Sequence, residues 1–257
     1  MQTAPFFKEL VIDTLGRNTV FLDSVDSTSS YLRRIWRETP HGTVVLAAEQ
    51  LGGRGRSGKS FVSPRDQGMY LSFLLSDLPF VGDTLFTVRV SYAVCRALDA
   101  VTDTAGQIGI KWVNDLYYDD RKIGGILCES LHDGSRDAIL VGVGINLDLD
   151  RGMLPRELHG QTASLRELMP RVPLPQTVAA AVLNAVEDMY FPPRTDEDFL
   201  ALYRSRSVIL DRDIRFLRDG KWYNAHADGI GSDGALLVTL ENGEKTKLAS
   251  GEVTVRY

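Results

Sequence analysis

At 257 residues, 44% hydrophobic and 25% charged, the chain is long and apolar enough to bury a full core as one large domain or two unequal ones. A formal net charge of −5 argues against general nucleic-acid affinity. No signal-peptide pattern and no apolar run of bilayer length occur, so the expected location is the cytoplasm, with no membrane partner.

The first thirty residues read as a short lead-in. Thr19-Val20-Phe21-Leu22-Asp23 has strand character, and Asp26-Ser27-Thr28-Ser29-Ser30 offers several N-caps before a helix at Tyr31–Trp36. Those hydroxyls either cap the helix or also face a ligand. Thr43–Ala48 reads as a strand and leads into Gly52-Gly53-Arg54-Gly55-Arg56-Ser57-Gly58-Lys59-Ser60. Four glycines let backbone N–H groups approach a ligand closely, and Arg54, Arg56 and Lys59 supply charge suited to carboxylate or phosphate oxygens. Gly53 to Ser60 also matches the phosphate-loop pattern G-x-x-x-x-G-K-[ST]. That pattern requires a helix to begin at the lysine. Phe61-Val62-Ser63-Pro64-Arg65-Asp66-Gln67-Gly68 has no helical period and contains a proline and a glycine, so the match is accidental in this reading.

Met69–Leu75 reads as a buried strand. Asp83 or Thr84 can cap an amphipathic helix carrying Leu85, Val88, Tyr92, Cys95 and Leu98, which should lie on a sheet. Ile108–Val113 is a strand, and Leu116 to Cys128 a β-hairpin turning at Asp119-Asp120-Arg121. Lys111 and Lys122 sit within strand-like sequence, where a lysine either points outward or needs an anionic partner. Gly142 and Gly144 alternate on the strand Ala138–Leu147 and leave one face smooth, for a flat ligand or for close packing. Arg151–Gly160 reads as a loop. Helices follow at Leu165–Met169, Pro175–Tyr190 and Asp196–Arg206. From Val208, short β-type runs alternate with Asp-Gly and Asn-Gly turns, which marks a small all-β unit packed on the rest. Cys95 and Cys128 lie outside any C-x-x-C and read as buried thiols; the four histidines have no metal spacing, and no metal ligand is identified.

Four stretches together carry a resemblance. Asp26-Ser27-Thr28, Glu49-Gln50 with Gly53-Arg54-Gly55-Arg56-Ser57-Gly58, Lys111-Trp112-Val113-Asn114-Asp115-Leu116 running to Arg121-Lys122-Ile123-Gly124-Gly125-Ile126-Leu127, and Gly142-Val143-Gly144-Ile145-Asn146-Leu147 resemble the biotin protein ligase family in order and spacing. Gly251-Glu252-Val253-Thr254-Val255-Arg256 looks like the end of that family's small β domain. The resemblance implies an α+β fold: a mixed, largely antiparallel sheet flanked by helices, class II synthetase-like, as a catalytic domain over 1–207, with an SH3-like β-barrel over 208–257. It implies an ATP-dependent, AMP-forming enzyme. Biotin's carboxylate attacks the α-phosphate of ATP carried with Mg²⁺, and a lysine of a biotin carboxyl carrier protein domain of a carboxylase then takes the biotinyl group.

By motif, Ser27, Thr28 and Ser29 would line the biotin ureido end, and Gln50, Arg54, Gly55 and Arg56 would hold biotin and the adenylate phosphate. Lys122 would be the principal electrostatic catalyst, with Arg56, Lys111 and Asp115 in the catalytic set. Arg54, Arg56, Lys111, Trp112, Asn114 and Asn146 would meet the nucleotide, and Gly142 and Gly144 would lie under the biotin rings. Asn114 and Asp115 would face nucleotide, metal or incoming lysine. The chain departs from the family pattern with Val113 for a proline, Phe61 for a tryptophan, Ser29 for an asparagine and Ser57 for an arginine. About twenty residues precede the first matching strand, too few for the winged helix some members carry, so specific nucleic-acid binding is not expected. A homodimer is compatible with the sequence. The alternatives are a lipoate-protein ligase-like acyl ligase, a phosphate-loop nucleotidase, and a non-enzymatic biotin-binding or carrier-docking module.

Overall fold

The structure, a computed structural model, describes residues 4–12, 14–76, 85–104, 106–189 and 195–255. Apolar and β-branched runs in the first part of the chain pair into a seven-stranded sheet. Its strands are β1 (Thr19–Leu22), β2 (Val44–Ala47), β3 (Gly68–Ser76), β4 (Gly109–Lys111), β5 (Asp115–Tyr118), β6 (Arg121–His132) and β7 (Asp137–Asn146). The order is β1-β2-β3-β7-β6-β5-β4. β1 and β2 run parallel and the other neighbours antiparallel, the mixed sheet expected from the sequence.

Every residue of β3 is buried, because helices cover both faces of the sheet. On one face α3 (Phe86–Thr102) and α4 (Pro175–Asp188) join Leu71, Phe73, Val141 and Val143 in the main core. On the other, α2 (Thr28–Ile35) buries Leu32 against Val45, Leu74 and Leu140. The alternation of a strand thus sends odd and even positions to different cores. α2 begins three residues earlier than the apolar pattern indicated. α1 (Ala4–Glu9), read as part of the lead-in, is too short for a helical stripe to be recognised; its Phe6 is fully buried. α5 (Asp196–Ser205) starts with a reciprocal Thr195–Asp198 capping box. The expected helix at Leu165–Met169 is a single 3-10 turn at Leu165–Glu167. Asp83, Thr84, Tyr190 and Arg256, named as caps or element ends, lie outside the described residues.

The C-terminal strands β8 (Asp213–Arg218), β9 (Lys221–Ile230), β10 (Leu236–Leu240), β11 (Lys245–Leu248) and β12 (Glu252–Val255) form a five-stranded sheet ordered β11-β10-β9-β8-β12. Asp219 and Gly220 both take positive φ between β8 and β9, as a two-residue hairpin requires. Ile214, Phe216, Ala225, Val238 and Val253 join the same core as the large sheet. Polar contacts add to this: Trp112 Nε1 donates to the Gly234 carbonyl at 3.0 Å, and Arg204 donates twice to the Ile230 carbonyl at 3.1 and 2.8 Å.

A shared core predicts shared unfolding. Trp112→Phe strands the Gly234 carbonyl and should cost about 1–3 kcal/mol in urea denaturation, while keeping a single transition. Separate melting of the C-terminal sheet in either protein would contradict the shared core.

Candidate active site

Small residues hollow out one half of the sheet face that α2 only partly covers. Ser72 on β3, Gly142 and Gly144 on β7 and Gly125 on β6 are paired across neighbouring strands and share that face. Each glycine makes room for a specific neighbour. A Cβ on Gly142 would stand 2.6 Å from Ser29 Oγ, and one on Gly144 2.7 Å from the Phe61 ring. The smooth strand anticipated from the sequence is therefore partly roofed by Phe61, the residue in the tryptophan position. At Gly125 a Cβ would come within 3.4 Å of Lys122 Nζ and 3.3 Å of Asp115 Oδ1.

The start of α2 supplies a buried hydroxyl network at one end. Ser27 is the N-cap, with a long 3.4 Å contact from the Ser30 N–H. Thr28 donates from its backbone N–H (2.9 Å) and its hydroxyl (3.1 Å) to Gln50 Oε1, and its hydroxyl lies 2.7 Å from Ser72 Oγ. Ser29 Oγ approaches Ser72 from the other side at 2.9 Å, and Gln50 Nε2 donates to Ser63 Oγ at 2.9 Å. Capping thus accounts for Ser27 alone. Thr28, Ser29 and Gln50 form a fixed polar surface, nearly dry because Thr28 and Ser29 are buried.

The glycine–arginine loop folds back as a hairpin. The Gly55 N–H donates to the Lys59 carbonyl at 2.7 Å, the Phe61 N–H to the Gly53 carbonyl at 2.9 Å, and Arg54 bridges Ser60 antiparallel. Ser57 and Gly58 take positive φ at the tip. Lys59 is extended (φ −67°, ψ 149°), so no helix starts there and the phosphate-loop match has no phosphate-loop geometry. Arg56 points inward and donates to Asn114 Oδ1 at 3.0 Å, while Asn114 Nδ2 is held by the Ile126 carbonyl. Arg54 instead forms a bidentate pair with Glu129 at 3.2 and 3.0 Å, which commits its fork to the loop's own anchorage. Lys59 at the tip meets Glu252 of β12 at 2.6 Å.

The Lys111–Asp115 turn presents its side chains to the same space. The Val113 carbonyl accepts from the hydroxyls of Ser91 and Tyr203, both at 3.1 Å, bracing the turn where the family pattern has proline. Lys122 Nζ lies 2.7 Å from Asp115 Oδ1. Among the described residues Lys111 has no carboxylate contact; its ammonium donates to the Tyr117 hydroxyl at 3.2 Å and lies 5.3 Å from that ring's centre. Burial holds the Lys111 pKa below the ordinary lysine value, partly offset by Asp115 and reinforced by the Lys122 charge. Cys95 and Cys128 are unpaired, and burial pushes both thiols up to about 12, so neither is a reactive thiolate.

These elements enclose a cleft of about 910 Å³. Ser27, Thr28, Ser29 and Gln50 line one part of it; Arg54, Gly55 and Arg56 another; Lys111, Trp112, Asn114, Asp115 and Lys122 a third; Gly142, Gly144 and Asn146 the sheet face. Every site residue named from the sequence is therefore on this one cavity. Gln161, Arg215 and Trp222, which no pattern in the sequence singles out, also line it, as do Glu252 and Thr254, which the sequence marks only as the end of the small β domain. They come from the return of the chain after β7 and from the C-terminal sheet, where nothing local marks a binding residue. Seven basic side chains line the cleft (Arg54, Arg56, Lys59, Lys111, Arg121, Lys122, Arg215) against four acidic ones (Asp115, Asp119, Asp120, Glu252). Each of the four acids is paired with a cation. The cavity can accept an anion and has no spare carboxylate to repel it. Among the described residues no group of three or more His, Cys, Asp or Glu could hold a metal ion, and no helix is long and apolar enough to cross a membrane.

Comparison with known proteins agrees with this geometry. Residues 21–146 match the model of the Biotin/lipoate A/B protein ligase family. The bifunctional ligase/repressor BirA of Escherichia coli is 29% identical over 262 residues, covering 97% of this chain and 77% of that protein. Biotin–protein ligase 2 of Arabidopsis thaliana is 35% identical over 147 residues, 56% of this chain and 44% of that one. The solved biotin protein ligase of Aquifex aeolicus in complex with biotin and ATP superposes with a TM-score of 0.78 at 27% identity, covering 93% of this chain and 99% of that chain.

The charge arrangement makes a checkable statement. In a lysine-detected NMR titration Lys111 should titrate below 10.5, and Asp115→Asn, by removing a favourable negative charge, should lower it further. A Lys111 midpoint at or above 10.5, or one raised by the substitution, would contradict the buried position given to this ammonium.

Proposed function

We propose that this chain, which belongs to the biotin protein ligases of the Biotin/lipoate A/B protein ligase family, joins biotin to a carrier protein at the expense of ATP. The observation that carries the reading is the convergence of Arg56, Lys111 and Lys122 on a cleft whose far end is a neutral hydroxyl and amide surface. A ligand with an uncharged hydrogen-bonding head and an anionic tail fits that polarity. Biotin has a cyclic urea at one end and a carboxylate at the other.

In the first step a biotin carboxylate oxygen attacks the α-phosphorus of ATP, and pyrophosphate leaves. An anion must approach a polyanion, so the barrier is electrostatic, and preorganised cations lower it. Lys122 is oriented by Asp115 and, with the flap closed, Arg56 is oriented by Asn114. Thr28, Ser29 and Gln50 orient the urea, and the glycine face admits the ring system. In the second step an uncharged lysine amine of a biotin carboxyl carrier protein domain attacks the mixed anhydride and AMP leaves. The Asp115 carboxylate, paired with Lys122 in the free protein, is placed to orient that amine. The hairpin flap shelters the adenylate from water between the two steps. Bound with the nucleotide, Mg²⁺ would supply charge neutralisation of the phosphates. Such an ion needs only one or two carboxylates besides phosphate oxygens, and Asp115 is the candidate.

The same reading divides the chain into a catalytic unit over 1–207 and a C-terminal SH3-like unit over 208–257, and the unpaired thiols fit a cytoplasmic setting. The test is incubation with ATP, Mg²⁺, a biotin carrier domain and either biotin or lipoate, reading pyrophosphate release and carrier mass. Mass gain with biotin is expected. Gain with lipoate alone would move the chain to the other branch of the family.

Two substitutions separate the roles. Lys122→Ala should lower adenylate formation by about 100-fold or more while the circular dichroism spectrum is unchanged. Full activity would remove Lys122 from the chemistry. Arg56→Gly unties the flap from Asn114 and should release adenylate, so that bystander lysines are labelled. Mass spectrometry finding label only on the carrier would deny Arg56 a retaining role.

A further inference from the structure

The hydroxyl network at the neutral end of the cleft has a direction, and side chains behind the wall set it. Ser63 Oγ lies 2.9 Å from the Phe61 carbonyl, which can only accept, so the single Ser63 proton is committed there. Ser63 Oγ therefore accepts from Gln50, whose Nε2 faces it at 2.9 Å. The other end of that amide is fixed independently. The Thr28 backbone N–H, a donor only, meets Gln50 at 2.9 Å and requires Oε1 there.

From Gln50 the assignment runs on without a free choice. Oε1 carries no proton, so the Thr28 hydroxyl donates to it at 3.1 Å. With its one proton so placed, Thr28 Oγ1 accepts from the Ser72 hydroxyl at 2.7 Å. Ser72 Oγ in turn accepts from the Ser29 hydroxyl at 2.9 Å. Every proton in the series points away from Ser29, which is left with open lone pairs at the end of the chain. Ser29 lines the cleft, and its Oγ lies 2.6 Å from where a Cβ on Gly142 would stand, against the hollow face. Ser72 is 0% exposed and lies behind the cleft wall. Turning the Ser29 proton outward would forfeit a buried hydrogen bond to Ser72.

Resting on the ligase reading, we propose that Ser72 is a positioning residue that holds Ser29 as a hydrogen-bond acceptor, and that this polarity selects a ligand head presenting an N–H to Ser29. A urea N–H satisfies the open lone pairs of Ser29 Oγ. A ring oxygen in the same place sets lone pair against lone pair, and a site built for a donor rejects such an analogue. Ser29 stands where the family pattern has asparagine, whose amide offers donor and acceptor alike, so the one-sided polarity belongs to this chain.

Calorimetric binding of biotin and of its two cyclic carbamates, each with one ring N–H replaced by oxygen, tests this. The wild-type protein should bind at least one carbamate about 100-fold or more weakly than biotin. Ser72→Ala frees the Ser29 proton to turn toward the ligand, so that preference should shrink by about tenfold or more, with biotin weakened and the carbamate strengthened. A role confined to packing would weaken both ligands alike and leave their ratio unchanged. Ser29→Ala removes the acceptor without touching β3 and should erase most of the same preference, which keeps the polarity testable if the Ser72 variant does not fold. Equal binding of biotin and both carbamates by the wild type, or an unchanged ratio in either variant, overturns the proposal while the ligase reading stands. A wild-type protein that binds neither biotin nor the carbamates overturns both.

Discussion

Uncompensated positive charge in a sheltered cleft is the constraint to which the rest of this structure answers. Among the described residues Arg56, Lys111 and Arg215 face the cavity without carboxylate partners, and the four acids beside them are already paired. Such a cluster is unfavourable in the free protein, and burial, with a smaller contribution from the Lys122 charge, holds the Lys111 pKa below the ordinary lysine value. It persists because the surrounding fold holds it there, and a polyanionic ligand relieves it. An active site that binds the developing charge of a reaction better than it binds water has this character.

The fold meets this constraint with three devices. Glycines and Ser72 hollow one sheet face, so that a ring system and the Lys122–Asp115 pair can lie against backbone. A hairpin rich in glycine carries Arg56 over the cavity and is tied at both ends, by Arg54 to Glu129 and by Lys59 to Glu252. The bidentate Arg54–Glu129 pair anchors the base of the flap, whereas the exposed Lys59–Glu252 pair at its tip is of small strength, which suits a flap that must open for substrate and close over a reactive intermediate. The C-terminal sheet then closes the third side, anchored by the Trp112 indole and a common core.

Much of this was legible in the chain. Lys111 and Lys122 drew notice because a lysine in a strand needs a reason, and both turn into the cleft. The proline and glycine after Lys59 correctly argued against a helix there. The alternation of Gly142 and Gly144 marked the hollow face, although not that Ser29 and Phe61 would fill part of it. What stayed hidden depended on tertiary pairing. The outward face of β8, β9 and β12 looks like any solvated strand surface until its register puts Arg215, Trp222, Glu252 and Thr254 on the cleft. Nor could the sequence tell that Glu129, on a neighbouring strand, would occupy the fork of Arg54. α1 escaped because a six-residue helix shows less than two turns of periodicity.

The most direct test of the central claim is the salt dependence of equilibrium binding of a non-cleavable ATP analogue, measured by calorimetry. If unpaired cations drive binding, affinity should fall about tenfold or more between low salt and about 0.5 M salt, with biotin affinity in the absence of nucleotide changing far less. Nucleotide affinity that is flat across that range would mean that the charges lining the cleft do not hold the ligand, and would contradict the account.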